Sequence, residues 1–298
     1  MKNIQGSIVA LVTPFAEDGK VNFDMLGELL EFHVAHKTDG VLILGTTGES
    51  STLSHNEDDE VVKYCVEKVA GRIPLIFSAG SNSTQESVEK CKRYEAEGAE
   101  RALVITPYYN KASELGMAKH FEAIAEASDL DLILYNVPSR TGCAISVPVL
   151  EELVQVPTVK AIKEASGSMA YACSIAHLAS DDFAIYSGND DIVVPILSMG
   201  GSGVISVAAN IIPDQMHDMV ASYLAGDVDQ AAWLQVKYLD LIHALFCEVN
   251  PIPVKEAMRQ LGFGVGGYHL PMCEPTPEHA EVVRKALAAA GVTRESVR

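Results

Sequence analysis

Gly40-Val41-Leu42-Ile43-Leu44-Gly45 is an almost unbroken aliphatic run with glycine at each end. A strand with one face in water alternates apolar and polar residues. A strand covered on both faces does not, and that is the pattern of a parallel sheet lying beneath helices. Similar runs recur at residues 7–13, 74–79, 102–106, 131–135, 159–163, 183–187 and 203–208. Their spacing, roughly 20–35 residues, is that of one strand-plus-helix unit. Helical periodicity fills the gaps. Asn22 is placed to cap a helix running through His36, with Leu26, Leu29, Leu30 and Val34 on one stripe. Thr84 is placed to cap another through Glu97, stopped by Gly98. Such units in series predict a (β/α)8 (TIM) barrel. A doubly wound sheet is the competing arrangement, but its glycine fingerprint is absent after the first strand. The glycines at 200, 201 and 203 precede a strand instead of opening a helix.

Beyond Asn210 the chain turns helical over 215–225, 228–249, 252–261 and 277–290, more than a last barrel unit requires. The expected organisation is a barrel over 1–225 and a C-terminal helical appendage over 226–298. With 48% hydrophobic residues in 298, the chain has the composition of a folded protein. A net charge of −18 repels phosphate backbones and anionic bilayers, so neither nucleic acid nor membrane is an expected partner. Residues 192–213 carry no charge, but Pro195, the three glycines and Asn210 interrupt them. They read as a buried helix, a turn and a buried strand, not a membrane span. Six dispersed cysteines without a C-x-x-C pair point to a reducing, cytoplasmic setting. The first fifteen residues make a poor signal peptide.

A barrel places its chemistry at the C-terminal strand ends. Those ends carry Gly45-Thr46-Thr47-Gly48-Glu49-Ser50, Thr106-Pro107-Tyr108-Tyr109-Asn110, Tyr135 through Gly142, Ile162-Lys163-Glu164-Ala165 and Ser187-Gly188-Asn189-Asp190. No metal-type cluster is among them. Lys163 closes a strand otherwise suited to burial. Taken alone, it reads most simply as a lysine snorkelling out of a strand end. In a desolvated pocket, its free amine could instead attack a ketone and form a Schiff base. Tyr109, Tyr135 and Thr46 are ordinary packing or turn residues individually; together they could pass protons. Thr46 and Thr47 lie between glycines that allow close backbone approach by a carboxylate. Arg140 offers a planar fork for a second carboxylate. His33 and His36, one helical turn apart, have no third ligand nearby and are expected on solvated helix surface.

Taken together, these strings resemble the dihydrodipicolinate synthase family of pyruvate-dependent Schiff-base aldolases. The resemblance rests on residues 45–50, 106–110, 135–142, 162–167, 203–207 and 250–255, in order, and extends from Gly6 to about Met272. It implies a lyase that condenses pyruvate with L-aspartate-4-semialdehyde on the route to diaminopimelate and lysine. Lys163 would form the imine, so no cofactor would be needed. Thr46, Tyr135 and Tyr109 would relay protons, with Tyr109 supplied by a neighbouring subunit of a homo-oligomer, usually a dimer of dimers. Thr47 would hold the pyruvate carboxylate and Arg140 that of the semialdehyde, while Gly188 and the Ile205 carbonyl would line the pocket.

The resemblance also implies an L-lysine feedback site built from Ser51, His55, Asn82, Glu86 and Tyr108. The chain departs from the family pattern at Asn189, where aspartate is common, and at Asp58, where a second histidine is expected. Asp58 could bind the effector's ammonium or spoil the site. Two other functions compete. A sister aldolase, such as N-acetylneuraminate lyase or a keto-deoxy-sugar-acid aldolase, shares the lysine and tyrosine but lacks the Ser-Arg-Thr-Gly arrangement, so Arg140 discriminates against it. A non-enzymatic small-acid sensor would not need the full Lys163, Tyr135, Tyr109 and Thr46 set.

Overall fold

In the computed structural model, which describes residues 3–297, eight parallel strands close on themselves in sequence order. They are β1 (Gly6–Ala10), β2 (Gly40–Ile43), β3 (Leu75–Ser78), β4 (Arg101–Ile105), β5 (Asp131–Asn136), β6 (Val159–Glu164), β7 (Ala184–Ser187) and β8 (Gly203–Ser206). Each predicted run overlaps one of these strands, with ends that differ by no more than a few residues. The first run overshoots because apolar character outlasts the ladder. Beyond Ala10, the Val12 N–H donates to Asn210 Oδ1 and the Thr13 hydroxyl to the Gly48 carbonyl. β2 ends one residue before Leu44, whose left-handed φ of 58° turns the chain out of the sheet.

Around the barrel lie α1 (Phe23–Ala35), α2 (His55–Val69), α3 (Thr84–Ala96), α4 (Glu114–Ala125), α5 (Pro138–Thr141), α6 (Val147–Leu153), α7 (Met169–Ile175), α8 (Val193–Ser198) and α9 (Pro213–Leu224). Three further helices, α10 (Val228–Ala244), α11 (Ile252–Gln260) and α12 (Pro277–Ala290), follow. Asn22 caps α1 as expected, accepting from the Met25 N–H at 3.1 Å. The cap of α3 is Ser83, one residue before the expected Thr84. Thr84 occupies the first helical turn and its hydroxyl pairs with His120 Nδ1 at 2.9 Å. The span 192–213 resolves into helix, turn and strand. No helix among the described residues is long and apolar enough to cross a membrane.

Two apolar layers result. Ile8, Leu42, Ile76, Leu103, Ile133, Ala161 and Tyr186 fill the barrel. The alternate residues of the same strands, such as Val9, Ile43, Leu132 and Ile162, pack beneath the helices. This period of two sets which side chains face the barrel axis. The six cysteines are free thiols.

The histidine expectation is overturned. His33 is fully buried on the core-facing side of α1, and its Nδ1 meets Thr38 Oγ1 at 2.9 Å. His36 pairs instead with Asp214 at 2.9 Å. Burial lowers the His33 pKa to about 3, with His36 adding to the effect, and burial lowers that of His120 to about 4. Both rings fold neutral, while in the unfolded chain they take up protons below about pH 6.5. Their stabilisation is therefore complete above that value and is lost as pH falls towards 4 and 3. Urea unfolding of His33→Gln should show a pH dependence between 6 and 4.5 shallower than wild type by roughly one proton, or about 1.4 kcal/mol per pH unit. Parallel slopes would count against a neutral buried His33.

Candidate active site

Lys163 sits on β6 two residues after the inward-facing Ala161, so it too points into the barrel. Its register neighbours are Tyr135 on β5 and Tyr186 on β7. The side chain is buried, and Nζ lies 4.5 Å from the centroid of the Tyr135 ring. Desolvation pulls its pKa down from the ordinary lysine value to about 8; Asp190 opposes this and Arg140 reinforces it. The snorkelling alternative fails because the side chain turns into the barrel and is only 6% exposed. Asp190, which sequence reasoning missed as a functional group, is buried just beyond β7. It accepts from the Val207 and Ala208 N–H groups at 3.0 and 2.8 Å. Burial pushes its carboxyl up, opposed by those hydrogen bonds and by Lys163.

Tyr135 is buried, and desolvation raises its phenol pKa against the opposing effects of Arg140 and the Thr46 hydroxyl. Thr46 and Tyr135 line one cavity of about 230 Å³. Tyr109 is not with them. It stands in the loop after β4 at 91% exposure, with a left-handed φ of 70°. The structure thus gathers Lys163, Tyr135 and Thr46 within one chain and leaves Tyr109 facing outward.

Thr47 is buried and accepts from Asn250 Nδ2 at 3.0 Å. Its loop is pinned by Glu49, whose carboxylate meets Lys255 Nζ at 2.8 Å with both side chains essentially inaccessible. Arg140 lies on α5, exposed at the mouth, and its Nη2 contacts the Asn250 carbonyl at 3.5 Å. The loop carrying it is held at its root by Asn136, which donates to Glu164 at 2.6 Å and accepts from the Ile145 N–H. Gly188 donates its N–H to the Glu164 carbonyl at 2.7 Å, so close that a Cβ would fall 2.5 Å from Ala165 Cβ. Ile205 lies in the inner layer, buried on β8.

Ser51, His55, Glu86 and Tyr108 line the same cavity as Thr46 and Tyr135. Asn82 adjoins them, donating to the Tyr108 carbonyl at 3.1 Å, and Glu86 accepts from Ser81 Oγ at 2.6 Å. Asp58 presents no exposed carboxylate to a ligand: it is buried, and its Oδ2 is paired with Lys90 at 2.8 Å. Lys90, Glu49, Asn250 and Lys255 owe their places to contacts between residues distant in sequence. The only local signal was the charge of Lys255 at the end of the otherwise uncharged Asn250-Pro251-Ile252-Pro253-Val254.

The described residues hold no group of three histidine, cysteine or acidic side chains able to bind a metal ion. Residues 3–290 match the model of the dihydrodipicolinate synthetase family. A 4-hydroxy-tetrahydrodipicolinate synthase from Caldicellulosiruptor bescii is 48% identical over 293 residues, 98% of this chain and 99% of the relative. The fold matches that of a chloride-inhibited dihydrodipicolinate synthase from Acinetobacter baumannii complexed with pyruvate. The TM-score is 0.94 at 42% identity, covering 97% of this chain and 100% of the other. It also matches that of the enzyme from Cyanidioschyzon merolae with lysine bound, with a TM-score of 0.94 at 38% identity over 97% and 99% of the two chains. A family match along nearly the whole chain, on a barrel whose strand ends carry the resembling residues, establishes that the protein belongs to the dihydrodipicolinate synthetase family.

Proposed function

We propose that the protein condenses pyruvate with L-aspartate-4-semialdehyde to give 4-hydroxy-tetrahydrodipicolinate, using Lys163 as the nucleophile and no cofactor. The observation that carries this reading is the buried Lys163 amine against the face of Tyr135. At pH 7.5 an amine with a pKa of about 8 is roughly a quarter free base, against about a thousandth for an ordinary lysine. The free amine adds to the pyruvate ketone, and loss of water leaves an iminium. Removal of a methyl proton gives an enamine, whose carbon attacks the semialdehyde. The aldehyde oxygen becomes the 4-hydroxyl. The substrate's own amine then displaces Lys163 and closes the ring, for a net release of one water. Tyr135 and Thr46 serve the proton steps, Thr47 holds the pyruvate carboxylate and Arg140 that of the semialdehyde. Gly188 lets the chain pass close to the Lys163 strand, and Ile205 lines the floor. The sugar-acid aldolase alternative is disfavoured by Arg140 and by the relatives at about 48% identity.

The exposure of Tyr109 supports a relay completed by a second copy of the chain, in a homo-oligomer that we read as a dimer of dimers. A tyrosine at 91% exposure cannot act in a buried pocket of its own chain. L-lysine is the regulator we infer, at the cavity lined by His55, Glu86 and Tyr108; lysine is bound in the related Cyanidioschyzon merolae structure. Tyr108 adjoins Tyr109, so a ligand held there acts on the relay without entering the imine site. Six free thiols support a cytoplasmic setting.

Borohydride with pyruvate should add one reduced adduct to Lys163, at a rate that rises with pH and levels above about 8. Lys163→Ala should give no adduct. Turnover should follow with aspartate semialdehyde and not with sugar acids. An adduct on Lys160 or Lys255, or turnover of sugar acids alone, would overturn the reading.

Coexpressed Lys163→Ala and Tyr109→Phe chains, each nearly inactive alone, should recover about a quarter of wild-type activity. Random pairing restores one complete site in half of the dimers. Recovery at background level would place Tyr109 outside the relay. Millimolar L-lysine should inhibit wild type without competing against pyruvate, and Glu86→Ala should escape. Inhibition purely competitive with pyruvate and unchanged in Glu86→Ala would remove the regulatory site.

A further inference from the structure

Asn250 touches both residues read above as carboxylate contacts, although it belongs to neither the barrel strands nor the loops that carry them. Its side-chain Nδ2 donates to Thr47 Oγ1 at 3.0 Å, and its main-chain carbonyl accepts from Arg140 Nη2 at 3.5 Å. The residue is 6% exposed, and its Oδ1 is buried with no hydrogen-bond partner. A buried amide oxygen left unpaired is costly, and this one stays unpaired while the amide's other end is committed to Thr47.

We propose that Asn250 is a positioning residue that serves both substrates through different atoms. The side chain orients the Thr47 hydroxyl for the pyruvate carboxylate, and the main-chain carbonyl holds Arg140 for the semialdehyde carboxylate. The inference rests on the assignment of Thr47 and Arg140 to those two carboxylates. A hydroxyl that accepts from an amide N–H keeps its own proton free to donate, and an anion needs a donor. Aspartate at 250 would reverse this. It can only accept, so it would capture the Thr47 proton and set a second negative charge beside the anion.

The position of Asn250 relative to Thr47 is fixed by a separate contact. Lys255, on the helix that starts just after Asn250, reaches Glu49, just after Thr47, at 2.8 Å. The same ammonium donates to the Thr13 and Gly267 carbonyls, and the second Glu49 oxygen accepts from the His269 N–H. This buried lock ties α11 and the following loop to the β2 loop, and so holds Asn250 against Thr47.

The test begins with borohydride trapping of pyruvate on the wild-type enzyme. A failure there sinks the Schiff-base reading itself and is seen before any variant is made. With trapping established, Asn250→Ala should raise the pyruvate KM about 10-fold and Asn250→Asp about 100-fold. The kcat at saturating pyruvate should stay within about 3-fold and the semialdehyde KM within about 2-fold, because the main-chain carbonyl remains. In a Thr47→Val background, Asn250→Asp should add little further loss. Thermal midpoints check folding; if Asn250→Asp does not fold, Asn250→Ser takes its place in the same cycle. Wild-type pyruvate affinity in Asn250→Asp would overturn the inference, since the amide oxygen would then be the atom facing Thr47. Equal losses in both KM values, or losses undiminished by Thr47→Val, would also overturn it and leave Asn250 a structural residue only.

Discussion

Closure of β1 against β8 is the constraint on which the rest of the molecule depends. Gly6 pairs with Gly203, and the backbones pass so closely that a Cβ on Gly203 would lie 1.9 Å from the Gly6 carbonyl oxygen. Both residues have positive φ, 132° and 159°, which other residues rarely adopt. Glycine at 203 is what lets the ladder shut, while a Cβ on Gly6 would run into the Asp39 side chain. Once it shuts, every strand has two neighbours and no edge is left exposed. All the C-terminal strand ends then face one mouth. Thr47, just beyond β2, thus comes to the same mouth as Tyr135 and Lys163 on the adjacent strands β5 and β6 and Arg140 just beyond β5, although two whole strands separate it from them in the chain.

Within that frame, the protein handles buried charge in two different ways, and the difference separates Lys163, the proposed nucleophile, from Lys255. Lys255 is at least as inaccessible as Lys163, but its ammonium is met by Glu49 and by two main-chain carbonyls. Burial lowers its pKa and Glu49 opposes the shift, which holds the charge in place. Lys163 faces the π-surface of Tyr135 with Asp190 as its opposing charge, and Asp190 is already committed to two N–H donors. A charge so weakly compensated is readily given up, which is the condition for an amine nucleophile. Asp58 and Lys90 repeat the paired solution beside the cavity lined by His55, Glu86 and Tyr108. Removing either member of such a pair would strand a charge, so these pairs hold segments together at the cost of tolerance to substitution.

The sequence by itself determined the barrel and the identities of its mouth residues. Strands buried on both faces must be aliphatic throughout, so the eight runs were visible as composition, and the helices between them as periodicity. The strand-end strings carried the family, because a chemistry that needs a lysine, hydroxyls and an arginine at fixed strand ends leaves those residues in a fixed order. The tertiary structure decided whatever depended on a partner far away in the chain. His33 looked like a surface histidine by residue type, although it follows Leu26, Leu29 and Leu30 at seven, four and three residues on the core-facing stripe; packing buried it against Thr38. Thr84 was placed on paper to cap α3, but Ser83 takes the cap and the Thr84 hydroxyl goes to His120 on α4. Asp58 was ambiguous until Lys90 was seen to neutralise it. Tyr109 was expected to act from a neighbouring subunit, and its exposure leaves it outside the pocket of its own chain. Asn250 and Lys255 drew notice only as part of a string, because a hydrogen bond across some two hundred residues leaves no periodicity, spacing or local composition from which it could be read.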